Sequence, residues 1–299
     1  KALVEKNIQM IDYECLTAPN GARLLGFGRF AGIVGAYNGL KAFGERYQKF
    51  QLKPAHECHD KKELQTELQK VDLPPIKIVL TGGGRVAQGA MEILDFLKVK
   101  KVSPEDYLQK EFDEPVYTQI DVQDYYELNG EKMTDIQHFF KNSDQYSCSF
   151  LKYAKVSDLF ISCHFWDGKS DKLFSLENTL KENFKIKVIA DITCDINGSV
   201  PTTIRPSAVT EPVYGFNPVT KAEDEPYKED VITVMAVDNL PTELPRDASE
   251  DFGNNLIEKI IPALLGDDPD QIIERASICK DGDLTEKYEY LRDYLEGKA

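Results

Sequence analysis

The segment from residue 76 to residue 89 constrains the fold of this chain most strongly. It reads Ile-Lys-Ile-Val-Leu-Thr-Gly-Gly-Gly-Arg-Val-Ala-Gln-Gly, so an apolar run with strand periodicity leads into glycines and then into a helix-forming stretch. Gly82 permits a tight turn and Gly84 lets the backbone approach a phosphate, while the free N–H groups that open the helix form an anion site. The segment predicts a dinucleotide site, for NAD or NADP, in an α/β protein.

The residues around the glycines strengthen this interpretation. A glycine triplet also serves as an ordinary turn, and Ala87 takes the place of the third glycine of the fingerprint. However, Pro74 and Pro75 introduce the strand, and residues 90–97 continue with apolar positions three and four apart. The strand, turn and helix therefore follow in the order that the motif requires.

Composition and charge exclude several classes of protein. The 299 residues are 41% hydrophobic, which is enough for a substantial core and two domains. The formal charge of -15 and the lack of a basic stripe with interleaved aromatics argue against a nucleic-acid partner. The most membrane-like stretch, 30–40, is too short to span a bilayer, so we expect no membrane partner. Six scattered cysteines without a signal peptide favour reduced thiols and a cytoplasmic location.

The rest of the chain predicts repeated strands with helices between them, and hence a parallel sheet. Strands are expected over 114–122, 158–163 and 186–192, and 128–152 is interpreted as an insertion. Glycines at 28, 32, 35 and 39 predict a helix that packs closely against another backbone, and a second helix is expected over roughly 249–265. The metal-capable cluster at 56–60 matches no standard site, so no metal is expected.

Four segments together resemble the saccharopine dehydrogenases. They are Gly-Ala-Arg-Leu-Leu-Gly-Phe-Gly-Arg-Phe-Ala-Gly at 21–32, the glycine turn at 82–89, Ala-Asp-Ile-Thr-Cys-Asp-Ile-Asn-Gly-Ser at 190–199, and the twice-proline segment 238–249. The chain is most similar to the lysine-ketoglutarate reductase branch, which shares the alanine dehydrogenase and transhydrogenase architecture. The insertion and the strand end Phe-Ile-Ser-Cys-His-Phe-Trp-Asp at 160–167 favour this branch over the shorter fungal-type enzymes.

The resemblance implies a Rossmann-type parallel-sheet domain inserted into a second α/β domain that binds substrate. Residues 28–244 would form the dinucleotide-binding domain, and 1–27 with 245–299 the substrate domain, truncated at its N-terminus. The implied reaction is hydride transfer from a secondary amine to NAD(P)⁺, interconverting saccharopine with lysine and 2-oxoglutarate. The paired lysine and histidine that transfer protons in the family are expected upstream of residue 1, so the catalytic residues are unknown here.

The resemblance also implies site residues. Those matching substrate-binding positions are Arg23, Phe27, Thr193, Cys194 and Asp195. Those matching cofactor-binding positions are Gly82, Gly84, Arg85, Val86, Glu111, Phe165, Ile192, Val237, Asp238, Asn239 and Leu240.

Several alternatives stay open at the level of sequence. Glu111, 27 residues after Gly84, fits the ribose-binding position best by spacing, whereas Asp121 ends a more convincing strand. NAD and NADP are therefore both open, although the reductase branch favours NADP. His164 is interpreted as a packed, hydrogen-bonded histidine in preference to an acid or base, and Cys194 as a small residue beside a ligand in preference to a nucleophile.

Rival functions are an alanine-dehydrogenase-like amino-acid oxidoreductase and a non-catalytic nucleotide-binding sensor. Arg23 has its own alternative, a surface ion pair. A homo-oligomer is compatible with the family resemblance. The small-molecule partner is an amino acid or 2-oxo acid.

Overall fold

The structure is a computed structural model that describes residues 1–298. The chain divides into two compact units. The first contains Lys1–Phe27 together with the residues from Arg246 onward, and the second contains Gly28–Pro245. Which unit binds cofactor and which binds substrate stays a prediction.

The secondary structure alternates short strands with helices. The strands are β1 (Met10–Ile11), β2 (Lys77–Thr81), β3 (Lys100–Lys101), β4 (Val116–Ile120), β5 (Tyr126–Leu128), β6 (Glu131–Lys132), β7 (Ser147–Cys148), β8 (Leu159–Ser162), β9 (Val188–Asp191), β10 (Val213–Asn217), β11 (Ala222–Asp224), β12 (Ile232–Met235), β13 (Ser277–Lys280) and β14 (Asp283–Leu284). The α-helices are α1 (Ala2–Glu5), α2 (Gly28–Arg46), α3 (Lys61–Leu68), α4 (Arg85–Phe96), α5 (Pro104–Gln109), α6 (Val122–Tyr125), α7 (Ile136–Lys141), α8 (Leu151–Ala154), α9 (Pro245–Asn255), α10 (Ile261–Leu265), α11 (Ile272–Ala276) and α12 (Arg292–Glu296). Six 3₁₀ helices (Tyr13–Cys15, Ala55–Glu57, Ser143–Gln145, Leu176–Leu180, Leu240–Glu243 and Glu286–Leu291) and one π-helix (Leu256–Ile260) complete the described elements.

An eight-stranded sheet forms the centre of the second unit, in the order β11-β10-β12-β9-β8-β2-β4-β3. The strands from β12 to β3 are parallel, and β10 pairs antiparallel with both β11 and β12. The predicted parallel sheet is confirmed. The last residues of four neighbouring strands, Thr81, Ile120, Ser162 and Asp191, lie in register. We call the edge that they define the carboxyl edge.

Helices α2 and α4 pack together closely because both carry glycine at the contact. A Cβ atom on Gly32 would overlap the carbonyl oxygen of Val86, and one on Gly89 would overlap the carbonyl oxygen of Arg29. Only hydrogen fits at either position. This confirms the prediction that the glycine-rich helix packs against another backbone, and it fixes α4, the helix that follows the glycine turn.

The structure differs from the sequence-based expectations in three places. Strands β10 and β12 were not predicted, although β12 is fully buried. The helix expected at 249–265 begins earlier, at Pro245, and gives way to a π-helix at Leu256–Ile260. Within residues 126–148, β5, β6 and β7 form a separate three-stranded antiparallel sheet.

The first unit has a smaller antiparallel sheet in the order β1-β13-β14. Its own apolar cluster includes Leu16, Leu25, Ile260 and Ile273.

Candidate functional site

The glycine turn joins β2 to α4 at the carboxyl edge. Gly82 has φ +92°, a left-handed conformation, and a Cβ there would lie 2.8 Å from the carbonyl oxygen of Cys163. Gly84 is the N-cap of α4 with an ordinary φ of -78°, and a Cβ there would meet nothing within 4 Å. Gly82 therefore shapes the turn, and open space remains over Gly84, at the N-terminus of α4.

The order of the strands in the sheet reverses at β2, the strand that precedes this turn. The chain proceeds from β2 to β4 on one side, whereas β8 lies on the other side of β2. Ligands of open parallel sheets bind outside the carboxyl ends of the strands at such a switch point. Phe165, which follows β8 by three residues, is 88% exposed there, so its ring is available to a ligand.

The two acidic candidates for ribose lie at opposite edges of the sheet. Asp121 directly follows β4, and its Oδ2 would lie 3.0 Å from a Cβ on Gly83. Glu111 instead precedes β4, next to Lys110, whose carbonyl accepts a bond of 3.0 Å from Lys77 at the start of β2. The structure thus does not bring Glu111 to the glycine turn, because α5 returns the chain to the amino ends of the strands. Asp121 replaces Glu111 as our candidate.

The loop that follows β9 is anchored by a fully buried carboxylate. Asp191 Oδ1 accepts bonds from the N–H (3.2 Å) and hydroxyl (2.6 Å) of Thr193, and its Oδ2 accepts one from the Thr203 hydroxyl (2.5 Å). Burial raises the pKa of Asp191, and these hydroxyl donors oppose that effect. Cys194 has φ +49°, which is unusual for a residue with a side chain. Thr193 and Cys194 are half-buried, and Asp195 is exposed.

Burial, together with nearby acidic residues, keeps Cys194 from acting as a nucleophile. Burial raises the pKa of its thiol to about 11, and the nearby carboxylates of Asp191, Asp195 and Asp238 contribute. Because a thiolate is the reactive form, this cysteine is unreactive near neutral pH. The loop that contains Asp238 follows β12, the parallel neighbour of β9, whose last pairs include Met235 opposite Ala190.

The predicted cofactor residues near β12 face two ways. Asp238 and Asn239 are exposed, whereas Val237 and Leu240 are buried. The side chains of Leu240 and Ile192 point to α2, since a Cβ on Gly35 would contact both. Only the backbone of these two residues is left for a cofactor. Val86 likewise faces α2, with its Cγ2 3.3 Å from a Cβ on Gly28, and Arg85 is half-buried.

His164 is a buried, neutral histidine. Its Nδ1 lies 2.8 Å from the Thr81 hydroxyl and its Nε2 lies 2.7 Å from the Ser199 hydroxyl. Burial lowers its pKa to about 4. These contacts agree with the interpretation of a packed, hydrogen-bonded histidine.

Arg23 and Phe27 belong to the first unit. Arg23 is about half-exposed, and its Nη2 lies 3.5 Å from Glu14 Oε1. The Phe27 ring stacks on Phe252 with the ring centroids 4.8 Å apart, and it is 39% exposed. An ion pair as open as that of Arg23 contributes little to stability, so the guanidinium is free to exchange partners.

Residues 1–298 lack two further kinds of feature. They contain no group of three or more His, Cys, Asp or Glu side chains that could hold a metal ion. In the same part of the chain, no helix has the length and apolar character needed to cross a membrane.

Sequence reasoning overlooked Asp191 as a structural element of the site. A signal was present, because Asp191 is the single acidic residue at the end of an apolar strand. A carboxylate in such a position is retained only where hydrogen bonds satisfy it.

Comparison with known proteins adds a family match. A family model described as alanine dehydrogenase/PNT, C-terminal domain, matches residues 59–287. Alpha-aminoadipic semialdehyde synthase of Arabidopsis thaliana is 26% identical over 331 residues, covering 97% of this chain and 31% of that protein. The mitochondrial protein of the same name from Mus musculus is 23% identical, covering 99% of this chain and 37% of the relative. This chain thus spans about a third of the length of these relatives.

Shorter relatives and a solved structure also match. A saccharopine dehydrogenase [NAD(+), L-lysine-forming] of Yarrowia lipolytica is 25% identical over 272 residues, covering 87% of this chain and 62% of that protein. An L-alanine dehydrogenase structure matches this chain with a TM-score of 0.55 at 15% identity. The match covers 98% of this chain and 71% of the alanine dehydrogenase chain. This likeness confirms the predicted α/β fold with a parallel sheet; the insertion of one domain into the other and the N-terminal truncation stay predictions.

Proposed function

Because the chain belongs to the alanine dehydrogenase/PNT C-terminal domain family, we propose that it is a nicotinamide-dependent oxidoreductase whose cofactor binds at the carboxyl edge of the second unit. The observation that carries the proposal is that the glycine turn is open over Gly84, while the Asp121 carboxylate, which directly follows the neighbouring strand, lies beside Gly83. The N-terminus of α4, the positive end of the helix dipole, suits the pyrophosphate.

NAD is the cofactor that this edge favours. A carboxylate at the end of the second strand accepts hydrogen bonds from the 2′- and 3′-hydroxyls of the ribose, whereas it repels the 2′-phosphate of NADP. Asp121 has that position, since β4 is the parallel neighbour of β2. This choice differs from the NADP preference that the reductase branch implies.

The substrate that we propose is saccharopine, or lysine and 2-oxoglutarate in reverse. The names of the shorter relatives support this choice, as do the four sequence segments. When bound, NAD⁺ would accept a hydride from the substrate carbon next to the secondary amine. Water then adds to the resulting imine, and the C–N bond breaks to give lysine and 2-oxoglutarate.

The side chains proposed for substrate have distinct parts in this reaction. Arg23 suits a carboxylate because its guanidinium can donate two parallel bonds. Thr193 and Asp195 are polar groups on a loop fixed by Asp191. Phe165 and Phe27 offer exposed rings. The proton-transferring groups are not assigned.

Nucleotide titration tests the cofactor site. Gly84→Val fills the open space without straining the backbone, so we expect NADH affinity to fall about tenfold or more, a loss of about 1.4 kcal/mol. Gly253→Val is the matched control, since a Cβ on Gly253 also meets nothing within 4 Å. Equal NADH affinity in the wild type and Gly84→Val would contradict this site.

Steady-state assays then separate the candidate reactions. NADH oxidation that requires both lysine and 2-oxoglutarate supports the proposed substrate. Oxidation with pyruvate and ammonium would instead indicate an alanine-dehydrogenase-like enzyme. Tight NADH binding without turnover of either pair would favour a nucleotide sensor.

A further inference from the structure

A line of buried polar groups joins the strand before the glycine turn to the loop after β9. Thr81 is the last residue of β2, and its hydroxyl lies 2.8 Å from His164 Nδ1. On the other side of the ring, His164 Nε2 lies 2.7 Å from Ser199 Oγ. Thr81 and Ser199 are both fully buried, so water does not compete for these bonds.

The surrounding bonds permit one direction of hydrogen-bond donation along this line. The Thr81 hydroxyl oxygen accepts a bond of 3.3 Å from the N–H of Cys163. Its own proton can therefore point to His164 Nδ1, which leaves the ring proton on Nε2 to be donated to Ser199. A neutral imidazole can accept at one nitrogen and donate at the other, and the lowered pKa of His164 keeps the ring neutral. The rings of Tyr125 and His164 pack edge to face, with their centroids 6.3 Å apart.

Ser199 belongs to the same loop that Asp191 anchors. Asp191 holds the beginning of the loop through Thr193 and its end through Thr203. Between these two anchors, Cys194 keeps its left-handed backbone, a conformation that persists only where neighbouring contacts impose it. The contact between His164 and Ser199 is a third anchor, and it comes from the segment that follows β8.

We propose that His164 is a positioning residue, which holds the 192–203 loop in a fixed relation to the glycine turn through Ser199 and Thr81. The inference rests on the proposed function, in which the turn binds the pyrophosphate and Thr193 and Asp195 of the loop bind the substrate. His164 touches no reacting atom in this role. Its two hydrogen bonds keep the 192–203 loop at a constant distance from the glycine turn.

Ser199→Ala is the sharpest test, because it deletes one oxygen and leaves the histidine in place. Ser157→Ala is the matched control: Ser157 is also fully buried and bonds Tyr107 and Tyr153, but it precedes β8 at the opposite edge of the sheet. We expect Ser199→Ala to lower kcat for lysine plus 2-oxoglutarate about tenfold, with NADH Kd changed less than about twofold. Ser157→Ala should leave both constants near those of the wild type.

Hydrogen exchange provides a readout that does not need turnover. In the wild type, NADH should slow amide exchange at 82–88 and also at 192–203. In Ser199→Ala the protection at 82–88 should persist and the protection at 192–203 should be lost. Retained loop protection in Ser199→Ala, or its equal loss in Ser157→Ala, would overturn the positioning role.

The same experiment separates failure of the inference from failure of the proposed function. A wild type with no NADH-dependent protection at 82–88 would contradict the cofactor site. The positioning role would then be judged on the free protein, where Ser199→Ala must speed exchange at 192–203 about tenfold more than Ser157→Ala does. His164→Gln, whose amide can reach the Nε2 position, should restore part of the protection that His164→Leu loses.

Discussion

At the scale of single residues, Asp121 is the acidic side chain that lies beside the glycine turn. Asp121 caps α6 through the N–H of Val122 at 2.8 Å, and its other carboxylate oxygen faces Gly83. One carboxylate thus both begins a helix and borders the proposed ribose position. A substitution must preserve the first role to test the second.

Asp121→Ser meets this condition, because serine is also a favoured N-cap. We expect NADH affinity to fall and NADPH affinity to rise, with the ratio of the two dissociation constants moving about tenfold or more toward NADPH, since a carboxylate–ribose bond contributes about 1.5 to 3 kcal/mol. Fluorescence titration with both nucleotides measures the ratio. Asp135→Ser, at the N-cap of α7, is the control and should leave it unchanged. An unaltered ratio in Asp121→Ser would remove the carboxylate from cofactor choice.

Glu111, the residue favoured by sequence spacing, shows why spacing alone does not locate the ribose-binding acid. Counting from Gly84 leads to Glu111, because the count treats the intervening chain as uniform. The structure inserts β3 and α5 before β4, so the same count ends at the amino side of the sheet. Adjacency to the end of a strand, which pointed to Asp121, is the physical requirement. Spacing is only its usual correlate.

At the scale of elements, the 3₁₀ helix at Leu240–Glu243 is tied to α2 by a buried acid. Glu243 is 2% exposed, and its Oε1 accepts a bond of 2.9 Å from Asn38. His56 Nδ1 lies 3.8 Å from its other oxygen. Burial raises the pKa of Glu243 to about 7, against the opposing influence of Asn38, His56 and Lys41. This carboxyl therefore titrates near physiological pH.

Ionisation of Glu243 lowers the stability of the folded protein. The unfolded chain releases this proton near pH 4.5, whereas the folded protein keeps it up to about pH 7. The folded state binds more protons in that window, so this group lowers the free energy of unfolding as pH rises through it. Glu243→Gln should accordingly stabilise the protein at pH 8 by about 1 to 3 kcal/mol, with little effect near pH 5.

Urea unfolding of both proteins across this pH range measures the difference. Glu131→Gln, an exposed glutamate of β6, serves as the control. A Glu243→Gln advantage that is constant with pH would mean that burial does not hold the proton on this carboxyl.

The large sheet was predictable only in part. Strands β2, β4, β8 and β9 come from apolar runs bounded by turns, and their parallel pairing follows from the helices between them. The run that forms β12, Ile-Thr-Val-Met, carried the same signal and was overlooked. Strand β10 contains glycine and asparagine, and its pairing depends on a tertiary neighbour. Its antiparallel direction could not be read from local pattern.

At the scale of the whole molecule, the chain leaves the first unit at Phe27 and returns to it at Arg246. The proposed cofactor residues all lie in the second unit, whereas Arg23 and Phe27 lie in the first. Substitution of Arg23 should therefore change substrate affinity without changing nucleotide affinity.

Arg23→Ala tests this separation. Loss of a charge-assisted bond of about 1.5 to 3 kcal/mol should raise KM for 2-oxoglutarate or saccharopine roughly 10- to 150-fold. NADH affinity should stay within about twofold of the wild type. Arg292→Ala removes another arginine of the first unit, one that pairs with Asp283 and Glu289, and it should leave KM unchanged. An unaltered KM in Arg23→Ala would return Arg23 to the role of a surface ion pair.

The two outermost strands of the large sheet bear on how the molecule behaves at high concentration. One border is β3, a pair of lysines, and the other is β11, three residues that include Glu223 and Asp224. Strands so short and so charged expose few free backbone groups to a neighbouring chain. The two edge strands therefore oppose pairing of this sheet with the sheet of another molecule. The apolar strands between them are kept out of intermolecular fibrils.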